Sequence, residues 1–432
     1  MHTTMAIPPL RCDRADTPPS AQIDGDDTRL PRASAKLGAM DWNTVSTVVP
    51  TALSTTFYAV AHTAFLTAMV RKKAPPLLSL SIRPWVSILK PIAGADDDLR
   101  GNLASFADLD YPAYEILFGL ASTDDPAVAV VQAFLAEHPR VSARIVWTTP
   151  ASGRTLNPKV AQLLDLTRAA RGSVLVVSDA NVRVERTYLR SLVATLLQSG
   201  VGLVSSVIVG GGERSLGAAL ENAQLGAHVA PAVVAAHALG LRPATVGKSM
   251  AMRRADLERV GGWESVADVL AEDDALAQRF DALGYSVEIC LEPIENHNRD
   301  TSLLRSIERH ARWARMRRAL TPLCFAAEPL LSPLLVATVV GVLAPSALAA
   351  KIWGCALALQ ITGALLCFTL LRVKRPWLLA ALEPLRAAVI VLCWGLACLS
   401  RRVSWRGNVF SLEAGSKLVP VRARARARSL AG

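Results

Sequence analysis

The stretch SVLVVSDANV, Ser173 to Val182, decides how this chain is read. Ser173 to Val177 are mostly branched and apolar, and Gly172 stands in front of them, which is the pattern of a buried strand. The run stops on Asp179, and Asn181 follows after one intervening residue. Oxygen donors just past the carboxyl end of a parallel strand lie where open α/β sheets place their ligands. Two such donors at this spacing suit a hard divalent cation that also holds a diphosphate. Asp and Asn also form plain turns by bonding their own backbone, so the neighbouring sequence has to separate the two readings.

Upstream, Trp85 to Leu89 reads as a strand ending in the turn-prone loop Lys90-Pro91-Ile92-Ala93-Gly94. A helix over about Asp97 to Phe106 leads to a strand, Tyr114 to Leu120, which runs out onto Asp124 and Asp125. Pro126 is placed to open the next helix. Ala143 to Trp147 is a third strand, and Asn157-Pro158-Lys159 starts another helix. Strands alternating with helices predict a largely parallel sheet covered on both faces. Asp125 and Asp179 would then share one edge as an acidic rim, costly unless a cation or ligand lies between them.

Downstream, Val201 to Val209 is a strand broken by Gly210-Gly211-Gly212, and Leu216 to Val234 is a weakly polar helix suited to a membrane surface or an acceptor entrance. The string Gly247-Lys248-Ser249 resembles the end of a phosphate-binding loop. The upstream glycine and the strand-loop-helix setting are missing, so that reading is rejected. Glu272-Asp273-Asp274 opens a helix running to about Leu283, where acidic residues also complement the helix dipole. Ser302 to Arg318 carries Arg305, Arg309 and Arg312 on one face with Trp313 at its edge. That face suits lipid headgroups or a departing diphosphate.

Hydrophobic residues make up 51% of the chain and charged ones 19%, and the apolar ones concentrate in Val45 to Val70 and beyond Pro322. The formal charge of +11 comes largely from basic clusters beside those runs, which favours anionic lipid or a phosphorylated substrate and not nucleic acid. The seven cysteines include Cys355, Cys367, Cys393 and Cys398 within the late apolar segments, and no CxxC pair suggests zinc or redox chemistry. The organisation expected is a disordered tail over 1–42, lacking a signal-peptide layout, and a transmembrane helix over 43–73. A cytoplasmic α/β domain over 74–320 follows, then a transmembrane pair over 321–376, with spans at Pro322 to Leu348 and Ile352 to Leu371. Residues 377–410 are expected to dip into the membrane or form a third late span, and 411–432 to be a basic tail. Arg71 to Lys73 and Arg372 to Arg375 place the domain inside by the positive-inside rule. Glu383, Pro384 and Arg386 interrupt Trp377 to Leu399, which fits an in-plane or re-entrant helix pair better than a crossing.

The ordered motifs KPIAG (Lys90–Gly94), TDDPA (Thr123–Ala127), NPK (Asn157–Lys159), SDANV (Ser178–Val182), VGKSMAMRR (Val246–Arg254), GGW (Gly261–Trp263), AEDD (Ala271–Asp274) and RHARW (Arg309–Trp313) together resemble the ceramide glucosyltransferases. These are membrane-bound inverting enzymes with a GT-A fold, and the resemblance covers roughly Val45 to Phe410. It implies a bacterial, multi-pass member in the inner cell membrane that moves a hexose from a UDP-sugar to the primary hydroxyl of a membrane lipid. It implies Asp273 as general base, Asp179 with Asn181 as holders of Mg²⁺ or Mn²⁺, and Asp125 near the nucleotide base and ribose. Lys90, Asp125, Lys159, Asp179, Arg309, Arg312 and Trp313 are expected to bind substrate. Related synthases often carry a carboxylate at the position of Asn181, whose amide oxygen brings less charge to a metal. Alternatives are a hopanoid-associated transferase using UDP-N-acetylglucosamine and, from another class, a non-catalytic protein that binds anionic lipid.

Overall fold

A computed structural model describes residues 42–72, 83–95, 97–152, 155–241, 243, 245–405 and 408–421. The tail expected before Trp42 and the alternating arginines from Arg422 to Arg428 lie outside the described residues. Helix α1 (Trp42–Val70) comes first. Then follow β1 (Val86–Pro91), α2 (Leu99–Ala104), β2 (Tyr114–Leu120), α3 (Ala127–Glu137), β3 (Ala143–Trp147), α4 (Pro158–Ala169) and β4 (Val174–Ser178). The domain continues with β5 (Val182–Arg183), α5 (Tyr188–Leu196), β6 (Val201–Gly211), α6 (Leu216–Gln224), a π turn over Leu225–Val229 and α7 (Ala230–Ala238). It closes with β7 (Ser249–Arg253), α8 (Arg254–Arg259), α9 (Glu272–Ala282) and β8 (Ser286–His297).

The eight strands form one sheet in the order β3-β2-β1-β4-β7-β6-β8-β5. β4 is buried along its whole length, and its side chains alternate between two cores. Val174 and Val176 face the layer of α2, α3 and α5. Leu175 and Val177 face α4, α8 and α9. Burial of such side chains is worth about 1.5–3 kcal/mol each, which fixes the strand that delivers Asp179. Gly172, just before it, is required by close approach: a Cβ there would come 2.5 Å from the backbone nitrogen of Ser87. The sheet is largely parallel, as expected, with β7 and β5 reversed. β7 runs backwards because the chain enters it at the carboxyl edge, where Ser249 pairs with Ser178.

After β8 come α10 (Leu303–Leu320), α11 (Pro322–Ala327), α12 (Pro333–Leu343), α13 (Ala347–Leu370), α14 (Pro376–Ala381) and α15 (Glu383–Leu399). Among the described residues, α1 and α13 are long and apolar enough to cross a membrane. Within the span expected over Pro322 to Leu348 lies a pair of helices bent by 75°, counting as a third span if the pair is one. Pro329 and Pro333 punctuate the bend, each removing a backbone donor. Near their C-terminal ends α1 and α13 meet one layer of the domain, with Phe65, Cys367 and Leu371 packed against Val207, Val209 and Ile289. The segment Trp377 to Leu399 divides at Leu382, and α15 lies against α10 and α6. Its charges are buried but paired: Arg386 donates twice to Glu383 at 2.8 Å and once to Gln224 at 2.6 Å.

Within the stretches expected as a membrane-dipping or spanning segment (377–410) and a basic tail (411–432), the described residues also include strands. Strands β9 (Arg402–Trp405), β10 (Asn408–Leu412) and β11 (Leu418–Pro420) make a small antiparallel sheet. Val403, Phe410, Leu412 and Leu418 bury against Leu156, Leu270 and Met316. The alternation of apolar residues buries one face of this sheet, which outweighs the basic residues on the other.

Candidate active site

The carboxyl edges of β1, β2 and β4 lie side by side, and Asp179 emerges at their centre. Its carboxylate Oδ1 accepts from the Lys159 ammonium at 2.9 Å and Oδ2 from Lys248 at 3.1 Å. Burial alone would raise the pKa of Asp179, but the two lysines outweigh it and hold the carboxyl far below its ordinary range. Lys159 is positioned because Asn157 caps α4, accepting from the backbone of Lys159 at 2.9 Å and of Val160 at 3.1 Å. The Lys159 ammonium has three acceptors: Asp179, Glu272 Oε1 at 2.9 Å and the Gly247 carbonyl at 2.7 Å. Burial would lower its pKa, yet Asp179 and Glu272 hold it well above the usual lysine range. The rim is therefore not bare acid. It is a lattice of alternating charges, which removes the repulsion expected between neighbouring carboxylates.

Asn181 turns its Oδ1 to the same Lys248 ammonium, at 3.0 Å. Asp179 and Asn181 thus converge on one point, the arrangement a cation takes, and Lys248 is the cation that point holds. Among the described residues no group of three or more His, Cys, Asp or Glu forms a further metal site. The pair of oxygens fits Mg²⁺ or Mn²⁺ in kind, provided the lysine gives way.

Asp273 sits in the first turn of α9, partly buried, and its Oδ2 accepts from the Gly247 backbone at 2.6 Å. Burial, then the neighbouring charge of Glu272, push its pKa up from an ordinary 3.8 to about 7. The start of α9 is braced from far along the chain: Ser416 accepts from Ala271 through its hydroxyl at 3.1 Å and from Leu270 through its carbonyl at 3.0 Å.

The remaining expected residues divide. Asp125 clasps two loops, accepting from the Gly94 nitrogen at 3.0 Å and from the Ala127 nitrogen at 2.8 Å. Lys90, expected in a loop, is part of β1 and fully buried, its ammonium bonding Ser178 Oγ and the Asp179 carbonyl at 3.1 Å. It also lies 3.8 Å from the centre of the Phe106 ring, and burial pulls its pKa down to about 7. Lys90 therefore supports the Asp179 loop from inside. Arg309 on α10 is held by buried Glu221 of α6 at 2.5 Å. Arg312 has Glu221 as a more distant counter-charge, and Trp313 packs edge-on against His310. Lys248, Glu221, Glu272 and Ser416 are partners that sequence reasoning did not select. A cavity of about 680 Å³ opens elsewhere, between α1, α5, α7 and β8, and none of the site residues lines it.

The site thus lies at the carboxyl edge of the sheet in a mixed α/β domain, accompanied by helices long and apolar enough to cross a membrane. The family model "Glycosyl transferase family 21" matches residues 47–418, and the chain belongs to that family. It is 27% identical over 351 residues to ceramide glucosyltransferase 3 of Caenorhabditis elegans, covering 78% of this chain and 74% of that one. Ceramide glucosyltransferase 1 of the same animal is 29% identical over 248 residues, or 57% of this chain, and the match spans about half of the relative's length, 53%. Among solved structures, a mannosyltransferase from Pyrobaculum calidifontis in complex with GDP-Man and Mn²⁺ is similar over 81% of this chain and 98% of its own. Its identity is 20% and the TM-score 0.48.

Proposed function

We propose that this protein transfers a hexose from a UDP-sugar to the primary hydroxyl of a ceramide-like membrane lipid, with inversion, giving a β-glycosyl lipid. The observation that carries the reading is the placement of Asp273: a partly buried carboxylate in the first turn of α9, 2.6 Å from the Gly247 nitrogen and beside the residues that Lys159 and Lys248 hold, with burial raising its pKa to about 7. A base whose pKa lies near the working pH is the efficient one. As the lipid oxygen attacks the anomeric carbon, the bond to the diphosphate breaks and its electron pair leaves with UDP. The hydroxyl proton goes to the oxygen of Asp273. Lys159, Lys248, Arg309 and Arg312 offset the charge growing on the leaving group. Mg²⁺ or Mn²⁺ would be held by Asp179 and Asn181, and supplies charge neutralisation at the diphosphate when bound. Asp125 is the candidate for the nucleotide base and ribose, and Trp313 is a further candidate for substrate contact.

Basic residues after α1 and α13 support a cytoplasmic position for the domain in a bacterial cell membrane, so the acceptor enters laterally from the bilayer. The test uses the full chain in nanodiscs with a panel of UDP-hexoses and lipids, with products identified by mass spectrometry and anomeric configuration by NMR. Transfer to ceramide with a β linkage is expected. Transfer of N-acetylglucosamine to a hopanoid, or retention of configuration, would replace this reading.

A further inference from the structure

The point where Asp179 Oδ2 and Asn181 Oδ1 converge is filled by a side chain of this protein. Lys248 Nζ lies 3.1 Å from the first oxygen and 3.0 Å from the second. An ammonium has three protons, so with two spent on these oxygens one remains for a further acceptor. The Lys248 side chain is 23% exposed. Its backbone is fixed on both sides. Its own carbonyl accepts from the Asp179 nitrogen at 3.1 Å, and Ser205 Oγ bonds the Val246 nitrogen and carbonyl at 3.1 Å. Gly247 is held between Asp273 and Lys159. This is a built position and not a surface lysine that drifted inward.

The charge count makes the position informative. Asp179 carries one negative charge and already faces two ammonium groups. A divalent ion at the same point would lie against the Lys248 ammonium, which is unfavourable unless Lys248 withdraws. A diphosphate arriving without metal meets the ammonium of Lys248 already in place, with Lys159 shared between Asp179 and Glu272 beside it.

Building on the transfer reading above, we infer that Lys248 is the resident cation of the donor site, holding the diphosphate in place of a divalent ion and competing with that ion for Asp179 and Asn181. The full chain in nanodiscs tests this by calorimetric titration with UDP in excess EDTA and with Mn²⁺, and by electron paramagnetic resonance of Mn²⁺ binding. Turnover is followed in parallel. The wild type is expected to bind UDP and turn over in EDTA, with Mn²⁺ changing affinity by less than about 3-fold. Lys248→Met is expected to lose about 10- to 100-fold in UDP affinity in EDTA, the worth of a charge-assisted hydrogen bond. Mn²⁺ should restore it, and the variant should bind the metal more tightly than the wild type does. Lys248→Arg should keep the resistance to chelator. Collapse of wild-type UDP binding and turnover in EDTA overturns the inference while leaving the transfer reading intact. That arm decides even if the methionine variant misfolds. A folded wild type that binds no UDP under any condition ends both.

Discussion

Replacing Asp273 by Asn separates a catalytic carboxylate from one that merely complements a helix dipole. Asn keeps the shape and can still accept from the Gly247 nitrogen, now 2.6 Å from Asp273 Oδ2, but it cannot take a proton. Complementing the dipole is worth about 0.3–1 kcal/mol, whereas loss of a general base costs on the order of 10²- to 10⁴-fold in rate. Stability should move the other way. The pKa of the folded carboxyl is raised from 3.8 to about 7, so the fold favours the protonated form. The cost of holding the charged form is absent below about pH 4, grows between there and pH 7, and is complete above it. A displacement of roughly three pH units corresponds to about 4 kcal/mol, which partial exposure trims to about 1–3 kcal/mol. Asp273→Asn should therefore melt higher than wild type at pH 8 and lose that advantage towards pH 4, while transferring little sugar and still binding UDP. Wild-type kcat/KM should fall tenfold per unit below about pH 7. Near-normal turnover of the variant, with an unchanged melting curve at pH 8, would refute the reasoning.

Glu221→Ala should lower stability by about 3–5 kcal/mol in thermal melts, because it strands Arg309 beside a buried site without its partner; Glu221→Gln should lose less. Asn157→Ala removes the cap of α4 and two further bonds, to the Val269 carbonyl and Glu272. It should cost about 1–3 kcal/mol in denaturant titrations and raise the KM for the donor by displacing Lys159. A cysteine introduced at Gly415 should be labelled from the same side as one at Asp124, since β11 docks on the α/β domain through Leu418 and the Asp268 carbonyl. Opposite labelling would contradict the packing of the C-terminal sheet.

How much of this was legible in the sequence depends on how local the cause is. β2 and β3 fall within their expected limits because each is a short apolar run whose neighbours end it. β6 runs two residues further than expected: Gly210 and Gly211, read as breakers, pair with Asn296 and His297. Glycine is needed there because a Cβ on Gly210 would lie 2.4 Å from the Asn222 backbone, a contact no local pattern announces. The strand that ends before Asp179, the helix that starts at Glu272 beside Asp273, and the arginine helix were legible as elements. Their charge partners were not. Lys248 was noticed within a false phosphate-loop string, and its bond to Asn181 spans 67 positions. Glu221 reaches Arg309 across 88. The small C-terminal sheet was hidden because its apolar alternation sits among arginines that, read as charge alone, suggest a tail.

The Ser416 brace on α9 has a consequence for biosynthesis. The residues that support Asp273 emerge from the ribosome about 145 positions after Ala271, and only after the hydrophobic helices have been handed to the membrane. A nascent chain can complete the eight-stranded sheet while the start of α9 still lacks this support. Full alignment of that helix is thereby coupled to the synthesis and folding of everything between, the apolar helices included.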